Sequence, residues 1–188
     1  MRKVKLQIQT TIDGFVARPN GDSDWMTWNP DEEFMQFINS LIDSSDTILL
    51  GRKMADGFVS HWENTVSNNP ENLFAKKMVA TPKVVFSKTL NKSTWNNTTL
   101  AKENLADEIA KLKHQNGKDI LVYGGATFVS SLIEEGLIDE YHLIINPVAI
   151  GDGMSIFKSL NRTQQFSPIE SKLYPGGKIV LSYKINKD

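Results

Sequence analysis

The chain has 188 residues, a formal net charge of −1, no cysteine, 40% hydrophobic residues and 23% charged residues. That length and balance suit a globular α/β protein, and one domain over residues 1–188 is expected. The near-zero charge offers no field for nucleic acid or an anionic membrane, and the missing cysteines exclude a disulfide scaffold, a cysteine nucleophile and thiolate metal sites.

Met1 to Leu6 runs directly into an alternating pattern without the apolar core of a signal peptide. No apolar run approaches the roughly 18 residues needed to span a bilayer. A cytoplasmic protein without membrane contact is the expectation. Val4, Leu6 and Ile8 begin a first strand that reaches toward Ile12 and ends at Asp13-Gly14. Residues 18–30 are dense in turn formers and read as a long loop, a frequent carrier of function. Pro30 is expected at the first helical position, with Asp31, Glu32 and Glu33 in the first turn and Phe34, Phe37, Ile38, Leu41 and Ile42 as the buried stripe. Asp46 to Leu50 is a short strand ending at Gly51-Arg52-Lys53. Residues 60–72 read as irregular, His61-Trp62 being either pocket lining or a loop with one anchoring tryptophan.

Lys83 to Ser87 and Thr98 to Leu100 are further strands, and Asn104 to Gln115 is an amphipathic helix with Leu105, Ile109 and Leu112 inward. Ile120 to Tyr123 is an apolar strand that meets Gly124-Gly125, after which Phe128, Val129, Leu132 and Ile133 recur at helical spacing until Gly136. A further strand covers Glu140 to Val148. Pro175-Gly176-Gly177 joins two closing strands as a hairpin. The β–α alternation predicts a largely parallel sheet, and the hairpin adds an antiparallel edge.

Three strand ends carry chemistry suited to a nucleotide phosphate. Gly124-Gly125-Ala126-Thr127 leaves bare backbone N–H groups at a helix start, which attract phosphate. Gly51-Arg52-Lys53 places two cations after a strand, one able to grip phosphate in bidentate fashion. Ser87-Lys88 offers a hydroxyl and an ammonium. Each alone is also the ordinary content of a turn. In an open parallel sheet, however, ligands bind beyond the carboxyl ends of strands. His114 complements a helix end, and His142 reads as a core or interface histidine. No His, Asp or Glu spacing suggests a metal site.

The order of these pieces resembles the dihydrofolate reductase-like fold. It is most similar to the branch holding the reductase domain of riboflavin-biosynthesis deaminase-reductases and its stand-alone relatives. The resemblance rests on Thr11 to Ala17, Gly21 to Trp25, Leu50 to Met54, Phe86 to Lys88, Gly124 to Phe128 and Gly136 to Glu140. It implies a three-layer α/β fold, a homodimer and NADPH as hydride donor. The acceptor would be a C=N or C=O group of a small pterin- or pyrimidine-like substrate. On that resemblance, Gly51, Arg52, Lys53, Ser87, Lys88, Tyr123, Gly124, Gly125, Ala126 and Thr127 bind the cofactor, across a cis Gly124–Gly125 peptide. Asp13, Trp25 and Phe34 border the substrate. Asp24 beside Trp25, where an indole can raise a carboxyl pKa, and Glu33 on the first helix are the candidate catalytic acids; Asp24 is open to a second reading as a turn former and Glu33 to one as a complement of the helix dipole. Tyr123 is open to a second reading as core. Two other readings stay open: a true dihydrofolate reductase, which needs a first-helix carboxylate in the pocket, and an NADPH-binding protein without turnover.

Overall fold

The computed structural model describes residues 1–186. Its elements in chain order are β1 (Val4–Thr11), α1 (Glu32–Asp43), β2 (Ser45–Gly51), α2 (Arg52–Asn68), α3 (Leu73–Ala80), β3 (Lys83–Phe86), β4 (Thr98–Ala101), α4 (Leu105–His114), β5 (Asp119–Gly124), α5 (Ala126–Glu134), β6 (Glu140–Asn146), β7 (Phe166–Leu173) and β8 (Ile179–Ile185). Among the described residues, eight strands form one sheet in the order β4-β3-β2-β5-β1-β6-β8-β7. The first six in that order are mutually parallel. β8 runs antiparallel to both β6 and β7.

Side-chain alternation along the strands builds three layers. Val4, Leu6 and Ile8 face α4 and α5, where Ile109, Val129, Leu132 and Ile133 are buried with them. Ile48, Leu50 and Leu121 face the opposite way, onto Leu41 and Ile42 of α1 and Ala55, Phe58 and Val59 of α2. The start of α1 lies over β6 and β8, with Phe34 and Ile38 against Ile144, Tyr174 and Val180. Each such side chain contributes roughly 1.5–3 kcal/mol when fully buried.

Helix α1 starts two residues later than its proline suggests. Asp31 is the N-cap and its carboxylate accepts from Phe34 N at 2.8 Å. A side-chain acceptor there outweighs the preference of proline for the first helical position. The expected irregular segment 60–72 is largely helix, since α2 runs to Asn68 and α3 follows from Leu73. The stripe of α2 is sparse, with only Ala55, Phe58 and Val59 fully buried, so periodicity alone does not reveal it. Trp62 packs edge-on to Phe58 and Phe74 at 6.3 and 5.2 Å between ring centroids, which pins α2 to α3.

At the amino edge of the sheet, Arg2 is buried, bonds Asp46 and donates to Thr47 Oγ1 at 2.8 Å. Among the described residues no helix is long and apolar enough to cross a membrane, and no cluster of His, Asp or Glu could hold a metal ion.

Candidate functional site

Because six strands are parallel, their carboxyl ends share one edge. Gly51 lies opposite Phe86, and Leu50 opposite Gly124. Arg52, Ser87 and Gly125 therefore leave three adjacent strands at neighbouring points. Gly51 and Gly125 touch: a Cβ built on Gly125 would sit 3.4 Å from Gly51 Cα. A Cβ on Gly51 would lie 2.7 Å from Phe128 Cβ. The glycines let two helix starts approach side by side, and packing alone already requires Gly51. Gly125 has φ +90°, a region that side-chain-bearing residues rarely adopt. The Gly124–Gly125 peptide is trans, as are all described peptides, which corrects the cis bond that the resemblance implies.

The two helix starts differ electrostatically from the others. α1 and α4 carry side-chain caps and two acids each in their first turns, and α3 is capped by Asn72. α2 and α5 have glycine at the N-cap, no side-chain cap and no first-turn acid. The first N–H groups of a helix lack intrahelical acceptors. Here no side chain supplies one, and exposed Arg52 and Lys53 add positive charge where the helix dipole disfavours it. Lys88 is also exposed. Ser87 is buried, and its hydroxyl accepts from Thr89 N and Leu90 N at 3.3 and 3.1 Å, so it holds a turn and keeps only its own proton to donate.

β5 carries an extra residue at this point. Leu49 pairs with Val122 and Leu50 with Gly124, leaving Tyr123 on a bulge. Its ring packs 5.2 Å from that of Phe58, and burial holds its hydroxyl protonated well beyond the usual range. Tyr123 is thus partly core, as its second reading has it.

The long loop after β1 is anchored to the segment after β6. Asp13 accepts from Ile150 N and Gly151 N at 3.0 and 2.7 Å, while Val16 N donates to Met154 O and Met154 N to Ala17 O. Asp13 is a loop clamp, and the Thr11 hydroxyl and these N–H groups hold its carboxyl below the ordinary range. Trp25 is buried and its indole N–H has no partner.

The candidate acids behave differently from expectation. Asp24 is exposed and receives a hydrogen bond from Arg18 Nε at 2.6 Å. The guanidinium holds its carboxyl below the usual value, so the raised pKa expected beside an indole is not found. Glu33 is half exposed and pairs with Lys172 of β7 at 2.6 Å. Asp31 is committed to the α1 cap and to Gly176 N at 3.2 Å. Glu32 accepts from Gln36 on the helix surface. Phe34 has no exposed surface and forms core where a substrate wall was expected.

Polar residues on β1 and β6 escape the sequence reading. Gln7 and Asn146 are buried, and Asn146 Nδ2 donates to Gln9 Oε1 at 2.8 Å. Alternation with Val4, Leu6 and Ile8 sets Gln7 and Gln9 on the other face of β1. A strand at the centre of a parallel sheet is normally apolar on both faces, so two glutamines there are the missed signal. A recess of about 290 Å³ lies elsewhere, at the amino edge. Its Lys3 and Lys113 are already paired with Glu140 and Asp139, each at 2.6 Å.

Comparison with known proteins bears on this geometry. The RibD C-terminal domain family matches residues 2–179. The chain belongs to the RibD C-terminal domain family. An uncharacterized protein of Bacillus subtilis (strain 168), YyaP, is 32% identical over 185 residues, covering 98% of this chain and 96% of that protein. A putative riboflavin biosynthesis protein of Shewanella sp. PV-4 superposes with a TM-score of 0.74 at 24% identity, with each chain fully covered. A diaminohydroxyphosphoribosylaminopyrimidine deaminase/5-amino-6-(5-phosphoribosylamino)uracil reductase of Thermotoga maritima gives 0.66 at 14% identity, covering 98% of this chain and 57% of that one. The expected dihydrofolate reductase-like three-layer fold is borne out.

Proposed function

We propose that the chain is an NADPH-dependent reductase acting on a small, pyrimidine-like heterocycle. The observation that carries the reading is the pair of touching, uncapped helix starts at the carboxyl edge. The starts of α2 and α5 meet at Gly51 and Gly125, no side chain caps their first N–H groups, and neither first turn holds an acidic residue. A pyrophosphate suits that arrangement, since it supplies the acceptors that the backbone lacks. Arg52 and Lys53 follow Gly51, the register partner of Phe86, and Lys88 follows Ser87, so three exposed cations leave neighbouring strand ends, a fit for an additional phosphate on the ribose. A reduced nicotinamide, when bound, would supply a hydride to the carbon of a C=N or C=O bond. The protein would hold the acceptor against the face of β1, β5 and β6, behind the loop from Asp13 to Trp25, and keep bulk water away. A homodimer and a cytoplasmic setting belong to the same proposal.

The pyrimidine class is supported by family membership and by the activity that the Thermotoga protein is named for. The folate reductase reading lacks support: Asp31, Glu32 and Glu33 are each engaged on the surface or in capping. No carboxylate of that turn is left to hold a pterin.

Fluorescence titration of NADPH and NADH tests the phosphate assignment. Arg52→Ala should raise the Kd of NADPH at least tenfold and leave that of NADH nearly unchanged, the size of one lost charge-assisted hydrogen bond. Equal weakening of both would overturn the ribose-phosphate role of Arg52. NADPH binding without oxidation in the presence of diaminopyrimidine acceptors would indicate a binding protein instead.

A further inference from the structure

Arg52 and Lys53 open α2, and the next acid along that helix is Asp56. It lies four residues after Arg52 and three after Lys53. At those two spacings side chains of a helix are neighbours, and opposite charges attract one another. No such pair forms: among the described residues, Arg52, Lys53 and Lys88 take part in no ion pair. Cations at the amino edge, by contrast, are bound to carboxylates, Arg2 to Asp46, Lys5 to Asp119 and Lys113 to Asp139.

The partner that Asp56 takes instead comes from the connection between β3 and β4. Trp95 Nε1 donates to Asp56 Oδ1 at 2.8 Å. An indole N–H donates and carries no charge, so it fixes the carboxylate without adding a cation of its own. The ring itself is held in place. Trp95 is half-buried against the cluster that includes Ala55, Phe58 and Val59, and its backbone N–H donates to Ser93 Oγ at 3.2 Å. One residue on, Asn96 Nδ2 donates to Glu63 Oε1 at 2.9 Å. Asp56 and Glu63 are about two turns apart on one face of α2, so Trp95 and Asn96 lie along that face. The connection leaves β3 through Ser87 and Lys88 at the carboxyl edge and enters β4 at Thr98, opposite Lys83. It thereby ties the strand end that carries Lys88 to the helix that carries Arg52 and Lys53.

We propose that Trp95 is a positioning residue for the phosphate-binding cations. Its indole holds the Asp56 carboxylate away from Arg52 and Lys53, so both cations stay open to a phosphate group. Without that hydrogen bond, Asp56 would turn to Arg52, offset its charge and repel the same phosphate. This assignment rests on the NADPH reading for the identity of its ligand, and its test separates the two.

The experiment titrates NADPH and NADH by calorimetry, at low and at high salt, into the full chain, into Trp95→Phe and into the double variant Trp95→Phe with Asp56→Asn. Trp95→Phe keeps an aromatic ring against the core and deletes the N–H. At low salt it should weaken NADPH about three- to fivefold, the range of one exposed ion pair, and change NADH less than about 1.5-fold. The added Asp56→Asn should restore NADPH affinity, and high salt should shrink the loss. A connection that merely loosened would not recover when a charge is removed from α2. Weakening that Asp56→Asn fails to reverse, equal weakening of both dinucleotides, or no weakening at all overturns the assignment. If the wild-type chain binds neither dinucleotide, the NADPH reading falls and the NMR signal of Arg52 Nε–H decides this one. That signal should move in Trp95→Phe and return in the double variant, and an unmoved signal overturns the assignment. Should Trp95→Phe fail to fold, Asp56→Glu and Asp56→Gln take its place. The longer carboxylate reaches past the indole to Arg52 and should weaken NADPH by the same factor, whereas the amide of equal length should not. Equal NADPH affinities of those two variants overturn the assignment.

Discussion

His142 is a neutral imidazole held inside a sheet. Burial pushes its pKa down to about 4, the Coulomb effect of Glu140, 4.0 Å away, acting upward and that of Lys5 downward. An unfolded chain would bind that proton near pH 6.5. Between pH 6.5 and 4 the unfolded state therefore carries more protons, and folding stability falls as pH falls. The loss is about 3 kcal/mol and is complete near pH 4. Urea unfolding of the wild-type chain and of His142→Gln at pH 7 and at pH 4.5 measures it. The glutamine variant should lose clearly less stability over that interval, and equal losses would remove His142 as the cause. Single residues also mark where sequence reasoning ran short. Asp24 and Trp25 are adjacent in the chain, yet it is Arg18, six residues back, that pairs with Asp24 and holds its carboxyl below the usual value. A run of letters does not say which of several nearby groups a flexible carboxylate will meet.

Asp31 does two tasks for α1. One carboxylate oxygen caps the helix, and the other accepts from Gly176 in the β7–β8 turn. Helix start and hairpin are thereby tied across the end of the sheet. Asp31→Ala should lower Tm by roughly 2–4 °C, as loss of an N-cap does. An unchanged melting curve by circular dichroism would show that neither contact matters. The same helix explains what was legible. Its strong apolar stripe, Phe34, Ile38, Leu41 and Ile42, identifies it from spacing alone. β2, β3 and β5 were legible too, as apolar runs that end at glycine or serine. α2 was not, because Arg52 to Asn68 buries few side chains and is stabilised by Trp62 meeting Phe58 and Phe74, residues of two different helices. Local periodicity carries no information about such a contact.

The arrangement of strands is what makes a site. With β5 inserted between β2 and β1, two turns 73 residues apart in the chain, at Gly51 and Gly124, come into contact. The opposite flank offers a surface for the proposed homodimer. Leu173 and Ile179 are cross-strand partners on the terminal hairpin, 68% and 39% exposed, so two large apolar side chains share one face near the sheet edge. A homodimer that covers them should appear as twice the chain mass in light scattering, and Leu173→Lys should reduce it to one chain mass. A wild-type monomer, or a dimer indifferent to that change, would refute this interface. Hydrophobic alternation, helix stripes and glycine at strand ends are local properties, so the residues themselves dictated an α/β chain with a parallel sheet and glycine turns at its carboxyl edge. Strand order, the meeting of α2 and α5, the engagement of Asp31 and Glu33, and the burial of Gln7 depend on contacts between distant segments. Those are set by how the layers pack, since a side chain's partner is chosen by space and not by its place in the chain.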